Sequence, residues 1–141
     1  MISEFKKITV EATVDSPVEK VWHAWTNPQD IMKWCNASED WHVPNAENDI
    51  RTGGTFLTRM ESKDGQFGFD FGGVYEQVDP NEKIIYILGD GRKVDITFEA
   101  DGQSTKIIET FDAENEHTLD MQRDGWQAIL DNFKKYTESK N

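Results

Sequence analysis

Apolar and polar residues alternate along much of the chain, which is the pattern of strands that bury one face. Ile8, Val10 and Ala12 carry this alternation near the N-terminus, between threonine and glutamate. Five more alternating runs follow, at residues 55–62, 67–78, 83–88, 93–99 and 105–111. We expect six or seven strands in all.

Turn-forming sequences separate the later runs. Asp-Gly between alternating apolar runs is the strongest short-range hairpin signal, and it occurs at residues 64–65, 90–91 and 101–102. Asp-Pro-Asn-Glu at 79–82 supplies a fourth turn. The pattern therefore predicts an antiparallel meander, with a bulge or bend at Gly72-Gly73.

Two short helices are predicted between the first strand and the meander. Residues 16–19 form a capping box with Pro17 at the first helical position. Asn27-Pro28 ends this helix and begins a second, with Asn27 as its N-cap, that reaches about Trp34. We expect residues 35–47 to be irregular and residues 49–51 to be extended.

A long amphipathic helix is predicted over residues 119–137. One face carries an apolar stripe that includes Trp126, Ile129 and Phe133. Gly125 is unfavourable inside a helix, so we expect close approach of the helix to the sheet there. The element order predicts an α+β fold, a single domain over residues 1–141.

The charge of the chain excludes some partners. Its formal net charge is −12, from 27 acidic and 15 basic residues, so we expect it to repel nucleic acid and anionic membranes. No run of about 18 apolar residues occurs, so no spanning helix is expected. One cysteine, Cys35, fits a cytoplasmic location.

Metal, cofactor and nucleophile patterns are weak in this sequence. His23, His42 and His117 pair with no second ligand at helical spacing, and Cys35 with His42 matches no usual zinc site. No phosphate-binding glycine loop or dinucleotide fingerprint occurs. We therefore assign no metal, no cofactor and no catalytic residue.

Several short segments, in order over about 130 residues, carry a resemblance to a known family. They lie at residues 16–22, 26–28, 34, 49–54, 73–75, 94–98 and 125–126. The chain resembles the START-like superfamily of helix-grip domains, in the branch similar to the C-terminal domain of activators of the Hsp90 ATPase. The resemblance implies a curved antiparallel sheet wrapped around a long C-terminal helix, with a hydrophobic cavity between them, and a link to the stress response.

The two-domain Hsp90 activators carry a separate N-terminal domain that this chain lacks. We therefore do not expect chaperone contact to be its main role.

The facing surfaces of sheet and long helix form either a packed core or a ligand pocket, and the resemblance favours the pocket. Glu109 faces into it in one strand register and into water in the other, because Ile107 and Ile108 are both apolar. Facing inward, its pKa is raised and it serves as acid, base or ligand anchor. The candidate ligand-binding residues are Trp34, Trp41, Phe56, Met60, Phe69, Phe71, Phe98, Glu109, Met121, Trp126 and Ile129.

We expect the protein to bind a small hydrophobic or aromatic molecule between the sheet and the C-terminal helix. The expected opening lies between residues 35–47 and that helix. Two alternatives stay open: an enzyme acting on such a molecule with Glu109 as acid or base, and an Hsp90-linked interaction module.

Overall fold

The computed structural model describes residues 5–36 and 38–140, which form seven strands and three helices. The order is strand, two short helices, six strands and a long helix. The elements are β1 (Lys7–Val14), α1 (Val18–Thr26), α2 (Pro28–Trp34), β2 (Trp41–Asn48), β3 (Thr55–Ser62), β4 (Gly68–Asp79), β5 (Lys83–Leu88), β6 (Lys93–Asp101), β7 (Ser104–Asp112) and α3 (Leu119–Glu138).

The strands form one antiparallel sheet in the order β1-β7-β6-β5-β4-β3-β2. Strand β1 pairs with β7, so that β1 and β2 are the two edges of the sheet. The sheet curls and α3 packs against it. The predicted α+β helix-grip fold is confirmed. Among the described helices, none combines the length and apolar character needed to span a membrane.

The predicted hairpin turns are confirmed. Gly65, Gly91 and Gly102 have positive φ angles of 77°, 92° and 62°, a conformation that glycine adopts without steric cost. In the turn at 79–82, Asn81 takes the positive φ, 65°. These turns join β3 to β4, β5 to β6, β6 to β7 and β4 to β5.

The helix starts differ in one detail from the prediction. Helix α1 begins at Val18 with Pro17, not Ser16, at the N-cap, and no side chain caps it there. Helix α2 begins as predicted: the Asn27 side chain accepts a hydrogen bond of 3.0 Å from the Gln29 N–H, and Pro28 is the first helical residue.

The prediction that residues 35–47 are irregular is wrong for residues 41–47. Residues from Trp41 onward form β2, which pairs with β3. The register of this pairing shifts between His42 and Asn45, around Pro44. Proline lacks a backbone N–H and is tolerated at irregular positions of edge strands, so Pro44 interrupts β2 without ending it.

Two further local predictions are wrong. Residues 49–51 are not extended: the Arg51 N–H bonds the Asp49 carbonyl at 2.9 Å, within a turn. The irregularity of β4 lies between Tyr75 and Gln77 rather than at Gly72-Gly73. The paired glycines instead allow neighbouring strands to approach closely, since a Cβ on Gly72 would lie 2.7 Å from the Phe56 carbonyl oxygen.

The core lies between the inner face of the sheet and the helices. Val10, Ile96 and Ile107 from the central and edge strands are at most 2% exposed. Leu130 and Phe133 of α3 pack in the same buried cluster. The core is continuous at one end of α3, and toward the N-terminal end of this helix it gives way to a pocket.

Candidate functional site

A pocket of about 420 Å³ lies between the sheet and helices α2 and α3, within the range of small-molecule sites, about 300–1,000 Å³. Its lining is mainly apolar, and eight aromatic side chains contribute to it. They are Trp25, Trp34, Phe56, Phe69, Phe71, Tyr75, Tyr86 and Trp126.

Phe56 lies at the centre of the aromatic group on the sheet. Its ring centroid is 4.7 Å from that of Tyr86, 5.3 Å from that of Tyr75 and 6.0 Å from that of Phe71. The residue opposite Phe56 in β4 is Gly73, where a Cβ would crowd both the Ile87 carbonyl and the Phe56 ring. The glycine therefore makes room for the Phe56 ring.

The two short helices supply the indole rings at the inner end. Trp25 and Trp34 lie 4.9 Å apart, and each makes an edge contact with Phe133 at 4.8 Å. The Trp34 Nε1–H donates a hydrogen bond of 2.8 Å to the Ala24 carbonyl. Because the indole N–H is already satisfied, Trp34 presents carbon surface to the pocket.

Helix α3 forms the opposite side through Met121, Gly125, Trp126 and Ile129. The prediction that α3 approaches the sheet closely at Gly125 is wrong. A Cβ built on Gly125 has no heavy atom within 4 Å. Gly125 instead leaves open space in the pocket lining.

Glu109 is the one acidic residue deep in the lining. It lies on β7 between Val10 of β1 and Ile96 of β6, and it is 5% exposed. Burial raises the pKa of its carboxyl group from 4.5 to about 8, because a charged carboxylate is poorly solvated in an apolar site. Within the described part of the chain, no hydrogen bond or cation offsets this burial.

Two further ionisable groups lie near Glu109. Burial raises the pKa of the Cys35 thiol to about 12, and the Glu109 charge adds to the rise. Burial also raises the pKa of Tyr86 well above its ordinary value, again with a contribution from Glu109. Near neutral pH all three groups are protonated, so the interior offers carboxyl, phenol and thiol groups without charge.

Ion pairs surround the outer part of the pocket. Arg92 donates to Asp90 through Nε at 2.7 Å, and His117 Nδ1 lies 2.8 Å from Glu114 Oε2. Gln122 accepts from the Glu114 N–H at 2.9 Å and donates to the His117 carbonyl at 2.9 Å. This side chain therefore fixes the loop between β7 and α3 to the helix.

The same loop brings three potential metal ligands together, and the prediction that His117 has no second ligand at helical spacing is wrong, because Glu114 lies three residues before it. One donor atom each from Glu114, Glu116 and His117 lies within 4.8 Å of the others. Glu116 and His117 are exposed, and the hydrogen bond to Glu114 raises the pKa of His117. We assign this group to ion pairing.

The structure brings nine of the eleven candidate residues together around the pocket. They are Trp34, Phe56, Met60, Phe69, Phe71, Glu109, Met121, Trp126 and Ile129. Trp41 is outside the lining and contacts Phe69 at 5.9 Å. Phe98 is buried instead beneath α1, against Trp22 and Trp25.

Sequence reasoning missed several lining residues. They are Trp25, Ile31, Cys35, Thr58, Tyr75, Tyr86, Arg92, Glu114, His117, Gln122 and Gly125. Tyr75 was recoverable, because it lies on the same face of its strand as Phe71. Arg92 and His117 lie in turns, and no alternation predicts where turn side chains point.

The exposed residues of the lining indicate where the pocket opens. The most exposed apolar lining residues are Phe69 and Met121, at 48% and 59%, near the starts of β4 and α3. The opening therefore lies at this end of α3. Trp41, at the start of β2, contacts Phe69 at 5.9 Å, so the opening between residues 35–47 and α3 stays a prediction.

Comparisons with known proteins agree on one family. The family model described as "Activator of Hsp90 ATPase homolog 1-like protein" matches residues 15–138. The solution structure of an AHSA1-like protein from Aeromonas hydrophila is 43% identical, with a TM-score of 0.89 over 96% of this chain and 94% of that one.

Two further solved structures are similar. The protein Chr148 from Cytophaga hutchinsonii is 56% identical, with a TM-score of 0.82 over 95% of this chain and 93% of that one. A protein from Nitrosomonas europaea shares the fold at 17% identity, with a TM-score of 0.83 over 96% of each chain. No curated protein matched the sequence.

Proposed function

The chain belongs to the family of Activator of Hsp90 ATPase homolog 1-like proteins, and from this premise we propose that it binds a small hydrophobic or aromatic molecule in the pocket between the sheet and α3. The observation that carries the proposal is the set of eight aromatic side chains around one buried carboxyl group. In ligand sites, apolar surface supplies most of the affinity and a few polar groups fix the orientation.

The polar groups of the interior support this division of roles. Glu109 and Tyr86 are at most 8% exposed, and neither has a hydrogen-bond partner in the described residues. Among the described residues, Thr137 Oγ1 is the one side-chain polar atom that is both fully buried and without a partner, so the Glu109 and Tyr86 oxygens reach the pocket space. A ligand with polar groups can therefore hydrogen-bond them, whereas a purely hydrocarbon ligand cannot.

Gly125 provides the test of the site. In the Gly125→Leu variant, an isobutyl group enters the open space at this position. We expect hydrophobic fluorophores and naphthalene derivatives to raise the melting temperature and quench the tryptophan emission of the wild type, because Trp25, Trp34 and Trp126 line the pocket. In the Gly125→Leu variant both effects should be lost.

Asp124→Leu is the matched control, since it adds the same side chain one residue earlier, at an exposed position outside the lining. This variant should bind as the wild type does. If no probe shifts the melting temperature or the emission of the wild type, or if Gly125→Leu binds equally well, the proposal is wrong.

An enzyme acting on the bound molecule is the second candidate. Glu109 favours it, because a carboxyl group with a pKa of about 8 can donate or accept a proton near neutral pH. A Glu109→Gln variant that binds a substrate but fails to convert it would support catalysis. Equal turnover by this variant and the wild type would exclude Glu109 as the acid or base.

Contact with Hsp90 is the third candidate, and exposed apolar side chains favour it. Phe67, Phe69 and Met121 are each about half exposed or more, and exposed apolar patches mark interaction sites. Capture of purified Hsp90 by the wild type, weakened in Phe67→Ser, would support this role. No capture at micromolar concentrations would exclude it.

A further inference from the structure

We propose that the ligand of this pocket is an apolar amine, whose ammonium group pairs with the Glu109 carboxylate while its hydrocarbon part packs against the surrounding rings. The inference rests on the proposed function and names the chemical class of its ligand. Three features of the site support it: an unpaired carboxyl group, the aromatic rings around it and the charge of the molecule.

Glu109 differs from the other charged residues of the lining. Arg92 is paired with Asp90 at 2.7 Å, and Glu114 is paired with His117 at 2.8 Å. Glu109 has no cation or hydrogen-bond donor among the described residues, although only 5% of its surface is exposed. The protein therefore provides a carboxyl group and leaves its counter-charge to the ligand.

The surroundings of Glu109 suit an organic cation. Aromatic faces attract ammonium groups within about 6 Å of the ring centroid, and the attraction is stronger where water is excluded. Phe56, Phe71 and Tyr86 form one contiguous group of rings, with centroid separations of 4.7 to 6.3 Å, that lines the same pocket as Glu109. Tyr86 is close enough for the Glu109 charge to raise its pKa. The pocket therefore offers both a carboxyl group and aromatic faces to one organic cation.

The net charge of the molecule also favours a cationic ligand. At −12 the protein attracts small cations and repels small anions. A fatty acid or another apolar carboxylate would keep Glu109 protonated, because two carboxyl groups that share a site cannot both ionise without repulsion. Such a ligand can accept a hydrogen bond from Glu109 but cannot form an ion pair with it. Cationic apolar ligands are therefore favoured over anionic ones of equal size.

Binding of an amine should release a proton. In the free protein Glu109 holds its proton up to about pH 8. An ammonium partner lowers the pKa of the carboxyl group, because an opposite charge favours the ionised form. At neutral pH, the carboxyl proton then leaves to solvent as the ion pair forms.

The other titratable groups near this site are accounted for. Cys35 at the end of α2 and Tyr86 on β5 stay protonated in this range, because burial raises the pKa of each further above neutrality. Arg92 is paired with Asp90, and from α3 the side chains that face the pocket are Met121, Gln122, Trp126 and Ile129. The hydrogen bond to Glu114 raises the pKa of His117.

Three probes with the same ring system provide the experiment: naphthylmethylamine, naphthylmethanol and naphthoic acid. Isothermal titration calorimetry in buffers of different ionisation enthalpy gives both affinity and proton release. We expect the amine to bind about tenfold tighter than the alcohol or more, with release of about one proton near pH 7. Naphthoic acid should bind most weakly.

Glu109→Gln tests whether the carboxyl group is the cause. In this variant the amine should lose its advantage and release no proton, while the alcohol binds as before. Glu99→Gln makes the same substitution at an exposed position of β6 and should behave as the wild type. Proton release by the wild type is a readout that does not depend on the variant folding.

The outcomes separate this inference from the proposed function. If the alcohol binds as tightly as the amine and no proton is released, the amine inference is wrong and the proposed function stands. An amine preference that persists in Glu109→Gln also overturns the inference. If none of the three probes binds the wild type, both are wrong.

Discussion

The indole of Trp126 stacks on the phenyl ring of Phe111, with ring centroids 3.8 Å apart and an interplanar angle of 10°. Phe111 lies on β7, two residues after Glu109, and it is 1% exposed. The indole also makes an edge contact with Phe71 of β4 at 6.0 Å. Trp126 thus joins α3 to strands β7 and β4 and lines the pocket, so it contributes both to stability and to the shape of the site.

Removing this ring should destabilise the fold. We expect Trp126→Ala to lower the free energy of unfolding by about 2–4 kcal/mol, because it removes the stacked pair and leaves space beside Phe111. Met121→Ala, at a largely exposed position of the same helix, should change it by less than about 0.5 kcal/mol. Urea denaturation followed by circular dichroism measures both, and equal effects would show that the Trp126–Phe111 stack is energetically unimportant.

Glu109 should make stability depend on pH. The unfolded carboxyl group titrates near its ordinary value of 4.5 and the folded one near 8. Between these values the unfolded state loses the proton and the folded state retains it. Stability therefore falls as pH rises toward about 8 and then levels off, with a total loss on the order of 5 kcal/mol.

The Glu109→Gln variant isolates this contribution, since glutamine cannot titrate. The unfolding free energy of the variant relative to the wild type should rise between about pH 5 and about pH 9. Glu99→Gln, at an exposed site, should show no such trend. A parallel pH dependence of wild type and Glu109→Gln would mean that Glu109 is solvated.

Local signals in the sequence predict most of the fold. The elements that these signals miss depend on contacts between residues that are distant in the sequence. Asp-Gly turns and alternation located β5 and the hairpins around it, because a hairpin joins neighbours in sequence. Strand β2 escaped prediction because it is polar and contains Pro44, and its pairing with β3 alone makes it a strand.

The site was predicted less completely, for the same reason. Ile107 and Ile108 allowed either register of β7, and only the pairing of Glu109 with Val10 and Ile96 turns its side chain inward. Phe98 has the expected inward direction, but α1 covers it. Alternation determines the face of a strand, whereas the placement of helices determines which part of that face lines the pocket.

Gly73 should not tolerate a side chain. A Cβ there would overlap the Ile87 carbonyl oxygen and crowd the Phe56 ring, so we expect Gly73→Ala to cost about 1–3 kcal/mol through overpacking. Gly89→Ala is the control, because a Cβ at Gly89 meets no heavy atom within 4 Å. Thermal unfolding of the two variants compares them. An unchanged melting temperature of Gly73→Ala would mean that β4 and β5 can separate without cost.

Cys35 should be unreactive in the folded protein. Its thiol has a pKa of about 12, raised by burial and by Glu109, so the thiolate fraction near pH 8 is about a thousandfold lower than for a free cysteine. Iodoacetamide should label the urea-unfolded chain quickly and the folded chain very slowly, as measured by mass spectrometry. Because Cys35 is the one cysteine of the sequence, the added mass reports on it directly. Rapid labelling of the folded chain would contradict the raised pKa of the thiol of this partly buried residue.

Replacing Gly125 by alanine should raise the stability of the fold and weaken ligand binding. An alanine methyl group at this position of α3 meets no neighbouring atom within 4 Å, and alanine is favoured over glycine inside a helix by about 0.8–1 kcal/mol. We therefore expect Gly125→Ala to raise the free energy of unfolding by about that amount and to weaken binding of naphthalene probes, because the methyl group occupies pocket space. Gly102→Ala is the control: it has equal space but a φ of 62°, so it should destabilise the fold and leave binding unchanged. If Gly125→Ala gains stability and binds probes as tightly as the wild type, Gly125 has no role in the pocket.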